Sequence, residues 1–516
     1  MNKSFQLVEG AASGAFHFEE IYPAVDCGRF PVKRFTGERV EVWADIYRDG
    51  SGITKASLVW RQEGEREWER APMTHHTDDR WVGAFVPEQP GRYVYAIEAW
   101  TDEFATWRDA FANKHQAGAD TTVDAIEGAG MLTKARAGGA NATAVILRQC
   151  EMFLQTGDVT ALLTDDLMEA MDESQFRSDL SRSQLFPLVV DRARAGFGAW
   201  YEMTPRSQGA TEGKHATFED CTARLADIAA MGFDVICLSP IHPIGWTHRK
   251  GRNKNFPAMD GDPGSPYAIG SDEGGHDAIH PSLGTFEDFQ GLLSEARKLD
   301  LEIALDFAIQ ASPDHPWLKQ HPGWFSWRPD GTIRYAENPP KKYEDIVNLD
   351  FYAEGATPSL WVALRDTIRF WIDQGVLLFR VDNPHTKPFP FWDWVIDDIR
   401  REHPEVVFLA EAFTRPKVMY RLAKAGFSQS YTYFTWRNTK WELTSYLTEL
   451  TNEPLTGFFR PHFFVNTPDI NPDFLQNAPR PAFLIRAALA ATLSGLWGVY
   501  NGFELCEGKP DPQRKE

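Results

Sequence analysis

Asp382 closes the run Phe379-Arg380-Val381-Asp382, Glu411 closes Phe408-Leu409-Ala410-Glu411, and Asp469 follows Phe464-Val465-Asn466-Thr467-Pro468. Each acid ends an apolar, strand-like run, a place that a packed chain ordinarily fills with an aliphatic side chain. A carboxylate kept there faces a pocket and not bulk water. Three carboxylates in one pocket suit glycosyl chemistry. One traps an oxocarbenium-like carbon covalently, a second, kept protonated, delivers a proton to the departing oxygen, and a third stabilises positive charge on the ring. Arg380 stands two residues before Asp382, shares its face of a strand, and would hold that carboxylate ionised for attack. Glu411, after Phe408-Leu409-Ala410, is expected in a drier place that raises its pKa.

Placing three acids on one rim requires strands that all end on the same side. From Gly198 onward strand-like segments at 198–204, 234–239, 301–309, 376–382, 406–411, 427–434, 462–467 and 496–501 alternate with helical ones. The helical segments fall at about 217–232, 285–300, 359–375, 388–403, 416–425, 439–451 and 481–495. This rhythm predicts a (β/α)8 barrel of the TIM type, in which residues at C-terminal strand ends face the active site. Val376-Leu377-Leu378-Phe379 and Val406-Val407-Phe408-Leu409 are the continuous apolar runs expected of parallel strands buried on both faces. The stretches 242–284 and 311–357 are too long for ordinary connections and are predicted to wall the pocket.

Ahead of the barrel, residues 38–110 alternate apolar and polar between Asp49-Gly50, Glu63-Gly64 and Pro90-Gly91, the pattern of a small antiparallel β-sandwich. The period turns helical over 113–183, with a turn expected at Gly138-Gly139-Ala140-Asn141. Pro187 to Arg194 reads as a strand returning to the sandwich. The expected organisation is therefore multidomain α/β: an N-terminal β-sandwich (1–112), a helical insert (113–183), a return strand and linker (184–197) and the barrel (198–516).

A chain of 516 residues exceeds what one core organises. Its formal net charge of −20 argues against nucleic acid or an anionic membrane surface as partner. Five scattered cysteines show neither disulfide pairing nor metal spacing, so reduced thiols are expected. The first thirty residues lack a signal-type apolar core, and no run of about 18 apolar residues follows, so a cytoplasmic, membrane-free protein is expected. The 18 Trp and 14 Tyr fit stacking on sugar rings and fit the packing of a large core equally well. The same two readings apply to Trp317, Trp324 and Trp327. His276 and His280 have a spacing that a metal accepts, but with no third ligand in view a hydrogen-bonding structural role is favoured.

At the acidic residues the chain resembles the α-amylase superfamily. Asp306 opens the first of its four short regions, Phe379 to Asn383 form the second, Glu411 marks the third and Phe464 to Asp469 form the fourth. The chain departs from the usual pattern where Gln310-Ala311 replaces Asn-His, which also removes a usual calcium ligand, and where Pro468 replaces His. No obligatory metal and no cofactor are expected. The runs His242 to Gly251, Glu273-Gly274-Gly275-His276, Gln310 to Trp317, Val381 to Lys387 and Tyr500 to Leu505 are similar to those of the bacterial maltosyltransferases that use α-maltose 1-phosphate to extend α-1,4-glucan.

That resemblance, from about residue 15 onward, implies Asp382 as nucleophile, Glu411 as general acid/base and Asp469 as transition-state stabiliser. It implies donor contacts from Lys250, Gln310, Asp345 and Asn383, with Asn338 and Tyr343 beside the phosphate. Chemically, Lys250 and Asn383 can donate to phosphate, whereas Asp345 only accepts and suits sugar hydroxyls. Without the resemblance Lys250 reads first as part of a solvated basic loop, with phosphate binding the lesser reading. The resemblance further implies a retaining transfer to the non-reducing end of the glucan with release of phosphate, and a homodimer formed through the N-terminal regions. Relatives of this kind continue beyond the position of Glu516 into a closing barrel helix and a C-terminal β-domain, so the chain reads as truncated there. An α-glucan hydrolase, and a non-catalytic glucan-binding or assembly module, are the alternative readings.

Overall fold

The computed structural model describes residues 15–135, 140–173, 177, 179–252, 256–338 and 341–511. The chain divides into two compact units, Met1–Val32 with Gly37–Glu88 and Arg92–Leu188, and Lys33–Thr36 with Gln89–Gly91 and Val189–Glu516.

The first ten strands are β1 (Phe16–Tyr22), β2 (Val32–Phe35), β3 (Val40–Arg48), β4 (Thr54–Gln62), β5 (Glu69–Pro72), β6 (Thr74–Thr77), β7 (Arg80–Phe85), β8 (Gly91–Thr101), β9 (Ser181–Arg182) and β10 (Phe186–Asp191). They form two sheets, ordered β1-β3-β7-β6 and β2-β10-β8-β4-β5, with β9 paired to β8. Strand β3 shows the expected alternation, burying Val40, Val42, Ala44 and Ile46. Trp60 of β4 stacks on Phe85 of β7 at 4.6 Å, so the two sheets share a core. Strand β10 lies between β2 and β8.

Between β8 and β9 lie α1 (Glu103–Gln116), α2 (Thr122–Lys134), α3 (Ala140–Thr156) and α4 (Asp165–Glu173). The helical segment begins ten residues before the predicted boundary at 113. Asp102 caps α1 by accepting from the Ala105 N–H, and Phe104, Trp107 and Phe111, at helical spacing, bury one face in the core of the four helices. Of the expected turn, Gly138 and Gly139 lie outside the described residues and Ala140 already opens α3.

The remaining strands are β11 (Gly198–Met203), β12 (Val235–Leu238), β13 (Glu302–Phe307), β14 (Tyr335–Asn338), β15 (Lys341–Val347), β16 (Leu378–Asp382), β17 (Val407–Glu411), β18 (Gln429–Tyr431), β19 (Pro461–Phe464) and β20 (Leu496–Tyr500). Eight of them close a barrel, β11-β12-β13-β16-β17-β18-β19-β20, and β20 pairs in parallel with β11. Its interior is packed by residues such as Trp200, Cys237, Ala304, Leu409 and Tyr431. Helices α5 (Phe218–Ala230), α6 (Phe286–Lys298), α7 (Pro316–Gln320), α8 (Ser359–Asp373), α9 (Phe389–Glu402), α10 (Pro416–Lys424), α11 (Lys440–Thr451) and α12 (Arg480–Leu493) alternate with the strands. Thr217 with Asp220, Thr285 with Asp288 and Thr439 with Glu442 form capping boxes that fix where α5, α6 and α11 begin.

The pair β14 and β15, an antiparallel hairpin inside the stretch 311–357, was not visible in the sequence pattern. Among the described residues no helix is long and apolar enough to cross a membrane. All five cysteines are free.

Candidate active site

Asp382 and Glu411 are the last residues of β16 and β17 and lie opposite each other in the parallel ladder. Both are buried. One guanidinium serves both: Arg380 Nη1 donates to Asp382 Oδ1 at 2.9 Å, and Nη2 lies 3.5 Å from Glu411 Oε1. The same Nη1 reaches the two oxygens of Asp306 at 2.9 and 2.8 Å, and the Tyr267 hydroxyl donates to Asp306 Oδ2 at 2.8 Å. Asp382 Oδ2 accepts from Gln310 Nε2 at 2.6 Å and from Asn383 Nδ2 at 3.2 Å. Asn383 takes a left-handed conformation, φ 45°, and its backbone N–H donates to Glu411 Oε2 at 3.1 Å. A side-chain amide and a backbone amide of one residue thus orient two different carboxylates.

Asp469 differs from the other two. Strand β19 stops at Phe464, five residues short of it, and Asp469 is exposed in a turn closed by Thr467 and Ile470. Pro468, in that turn, has no N–H with which to resume the ladder. Thr467 Oγ1 donates to Asp469 Oδ1 at 3.2 Å. The Asp469 charge still reaches the pocket, where it pushes up the pKa of Glu411 and of Glu202.

Glu202 is a site residue that sequence reading missed. It is fully buried on β11, and the Tyr431 hydroxyl lies 3.4 Å from its Oε2. Its signal was present, an acid inside the apolar strand Gly198–Met203.

One guanidinium cannot balance so many carboxylates, and burial decides which of them keep a proton. Burial, opposed by Arg380 and reinforced by Asp382 and Asp469, raises Glu411 to about 8. Burial, opposed by Arg380, likewise raises Glu202 to about 8. Asp306 is raised to about 6, by burial first and against Arg380. Near pH 7 the pocket therefore holds a neutral Glu411 and a neutral Glu202 around Arg380. Asp306, gripped by the guanidinium, is a carboxylate.

A second group gathers on the β14–β15 hairpin. Lys250 Nζ lies 2.9 Å from Asp345 Oδ1 and 4.9 Å from the centre of the Tyr343 ring. Beyond this ion pair, neither oxygen of the buried Asp345 has a hydrogen-bond partner. Asn338 ends β14 opposite Lys341. The hairpin is tied to the barrel loops by the Val347 N–H, which donates to Ala311 O at 2.8 Å, and by an apolar cluster of Ile244, Ala268 and Ile346 that carries both Tyr267 and Tyr343. Of the aromatic platforms considered, Trp317 and Trp324 pack on His315 and His321, and Trp327 is half exposed. Among the described residues no group of three or more His, Cys, Asp or Glu side chains is arranged to hold a metal ion.

Residues 14–192 match the family model described as α-1,4-glucan:maltose-1-phosphate maltosyltransferase, domain N/S. The chain is 53% identical over 509 residues to the α-1,4-glucan:maltose-1-phosphate maltosyltransferase of Burkholderia pseudomallei, covering 96% of this chain and 44% of that protein. It is 52% identical over 506 residues to the enzyme of the same name from Pseudomonas aeruginosa, covering 96% of this chain and 76% of the relative. With one from Cereibacter sphaeroides it shares 50% identity, covering 95% and 83%. Among solved structures, an α-amylase from Lactobacillus plantarum aligns over 63% of this chain and 76% of its own, with 23% identity and a TM-score of 0.49. Identity of about half across nearly the whole chain, spanning sandwich, helices and barrel alike, means that the chain belongs to the α-1,4-glucan:maltose-1-phosphate maltosyltransferase family.

Proposed function

We propose that the protein moves a maltosyl unit from α-maltose 1-phosphate to the non-reducing end of an α-1,4-glucan, with Asp382 as nucleophile and Glu411 as general acid/base. The observation that carries this reading is the pair of adjacent strand-end acids on one guanidinium, of which Glu411 has a pKa raised to about 8. Asp382 attacks the anomeric carbon and the bond from that carbon to the phosphate oxygen breaks, while the proton on Glu411 passes to the departing phosphate. The covalent ester removes the negative charge of Asp382, one of the causes of the raised pKa of Glu411. Glu411, now a carboxylate, takes the proton from the 4-hydroxyl of the acceptor as that oxygen displaces Asp382. Two inversions leave the configuration retained. Asp469 stabilises the oxocarbenium charge from the rim.

Lys250, Asn338, Tyr343 and Asp345 take the donor, Asp345 through oxygens that are ion-paired with Lys250 but lack a hydrogen-bond partner and can accept from sugar hydroxyls. Gln310, Asn383 and Arg380 orient the nucleophile. Exposed Val123, Ile126 and Leu154 on the helical insert fit a homodimer formed through the N-terminal regions, and the reaction suits the cytoplasm. Incubation with α-maltose 1-phosphate and maltohexaose tests the reading. Equal amounts of released phosphate and of chains longer by two glucose units are expected, whereas free maltose without elongation would mean hydrolysis and contradict transfer.

A further inference from the structure

Behind the nucleophile lies a pair of buried imidazoles that the reaction does not use. His276 Nε2 is 2.9 Å from the Ala308 carbonyl oxygen, His276 Nδ1 is 3.0 Å from His315 Nε2, and His315 Nδ1 is 3.1 Å from the Trp317 backbone nitrogen. A carbonyl only accepts and a backbone N–H only donates, so both tautomers follow from the partners. Trp317 N–H donates to His315 Nδ1, His315 Nε2–H donates to His276 Nδ1, and His276 Nε2–H donates to Ala308. The direction is single and every ring nitrogen is used. Burial holds both rings neutral, His276 well below the usual histidine range and His315 at about 3, so the chain of bonds persists through neutral pH.

The pair is packed to close tolerance. A Cβ at Gly275 would fall 2.7 Å from His315 Nε2, and one at Gly270 2.3 Å from His315 Cδ2. The Trp371 indole N–H donates to the His276 carbonyl at 2.8 Å, and the Trp317 ring stacks on the His276 ring at 5.2 Å. What this holds is the exit of β13. Ala308 follows its last residue, Phe307, and Gln310, two residues on, sends its amide to Asp382 Oδ2 at 2.6 Å.

We propose that His276 and His315 are positioning residues for the nucleophile: by anchoring Ala308 they aim the Gln310 amide at Asp382. The kinetic part of this inference rests on the reading of Asp382 given above, but the geometric part does not. His315→Leu removes the central hydrogen bond at similar volume, and Gly275→Ala, at a position with ordinary backbone φ, pushes the ring away while leaving both imidazoles in the sequence. His315→Gln returns a donor nitrogen at the place of Nε2.

Crystal structures of the three variants are the first measurement. Gln310 Nε2 should leave hydrogen-bond distance of Asp382 in His315→Leu and Gly275→Ala and stay within it in His315→Gln. Retention of the contact in the first two, or its equal loss in all three, would overturn the proposal. Turnover of α-maltose 1-phosphate is the second. The first two variants should lose about tenfold in kcat or more, with His315→Gln within about threefold of the parent. The double variant Gln310→Ala/His315→Leu should be no slower than Gln310→Ala alone, and an additive loss would show that the pair acts only on general stability. Absence of turnover in the parent would count against the proposed reaction, with the crystallographic comparison still deciding this one. Gly275→Ala keeps the test open if His315→Leu does not fold.

Discussion

Glu411 and Glu202 carry the same raised pKa of about 8 on the same side of the barrel, yet only Glu411 meets the nucleophile's guanidinium and the Asn383 amide. The two acids should therefore answer differently to one substitution. Glu411 must release its proton and take it back, so donor consumption by the parent should fall as pH rises through about 8. Glu411→Gln should abolish that alkaline limb and lose about a thousandfold in rate, measured as phosphate release against pH. Glu202 is neutral near pH 7 and only needs to stay so. Glu202→Gln, its uncharged isostere, should keep activity within about threefold, whereas Glu202→Ala should cost about 2–4 kcal/mol in denaturant unfolding by opening a cavity in the barrel core.

At the level of elements, the barrel was legible because its strands are continuous apolar runs bounded by helices of clear period, and the ends of β16 and β17 fell on Asp382 and Glu411 as the pattern required. The fourth region was less so. Phe464 to Thr467 carry strand-like residue types, but β19 ends at Phe464 and the Thr467 to Ile470 turn follows, so residue types alone placed the strand end three residues too late. Helix α1 was hidden because Phe104, Trp107 and Phe111 follow directly on the alternating run of β8. The β14–β15 hairpin was hidden because Glu337, Lys342 and Glu344 interrupt the apolar alternation that marks a strand, while its tie to the barrel, the Val347 N–H on Ala311 O, comes from a separate loop. That hairpin sets up a further prediction. Lys250→Met leaves Asp345 buried without a countercharge and should destabilise the fold by about 2 kcal/mol, since the partly exposed lysine weakens the penalty of a fully buried pair. Lys250→Met/Asp345→Asn should recover most of that loss while donor binding stays weak, as read by thermal unfolding with and without α-maltose 1-phosphate.

For the molecule as a whole, gathering buried acids around one guanidinium has a cost that pH exposes. Glu202 and Glu411, at about 8, and Asp306, at about 6, all titrate above their ordinary carboxylic values. Burial acts in the opposite sense on the histidines, His242 and His280 at about 4, His315 and His462 at about 3 and His276 well below the usual range. Below about pH 6.5 the unfolded chain therefore takes up protons that these rings refuse. Between about pH 7 and 8 the acids dominate, the native state binds more protons than the unfolded chain, and stability falls as pH rises across that window. Asp191, held low by Arg400 and Arg460 against its burial, works in the opposite sense and matters only below the usual aspartate range. Denaturant midpoints should accordingly be lower at pH 8.5 than at pH 7, and Glu202→Gln should flatten that slope. The chain spans 44% of its Burkholderia relative and 83% of the one from Cereibacter. Whether this span performs the chemistry is decided most directly by capturing the intermediate. Glu411→Ala, incubated with a 2-fluorinated maltosyl donor and digested, should yield by mass spectrometry one peptide heavier by a single fluoromaltosyl group, the peptide that contains Asp382. A label on any other residue, or an unlabelled Asp382 peptide under conditions in which the parent releases phosphate from α-maltose 1-phosphate, would contradict the account.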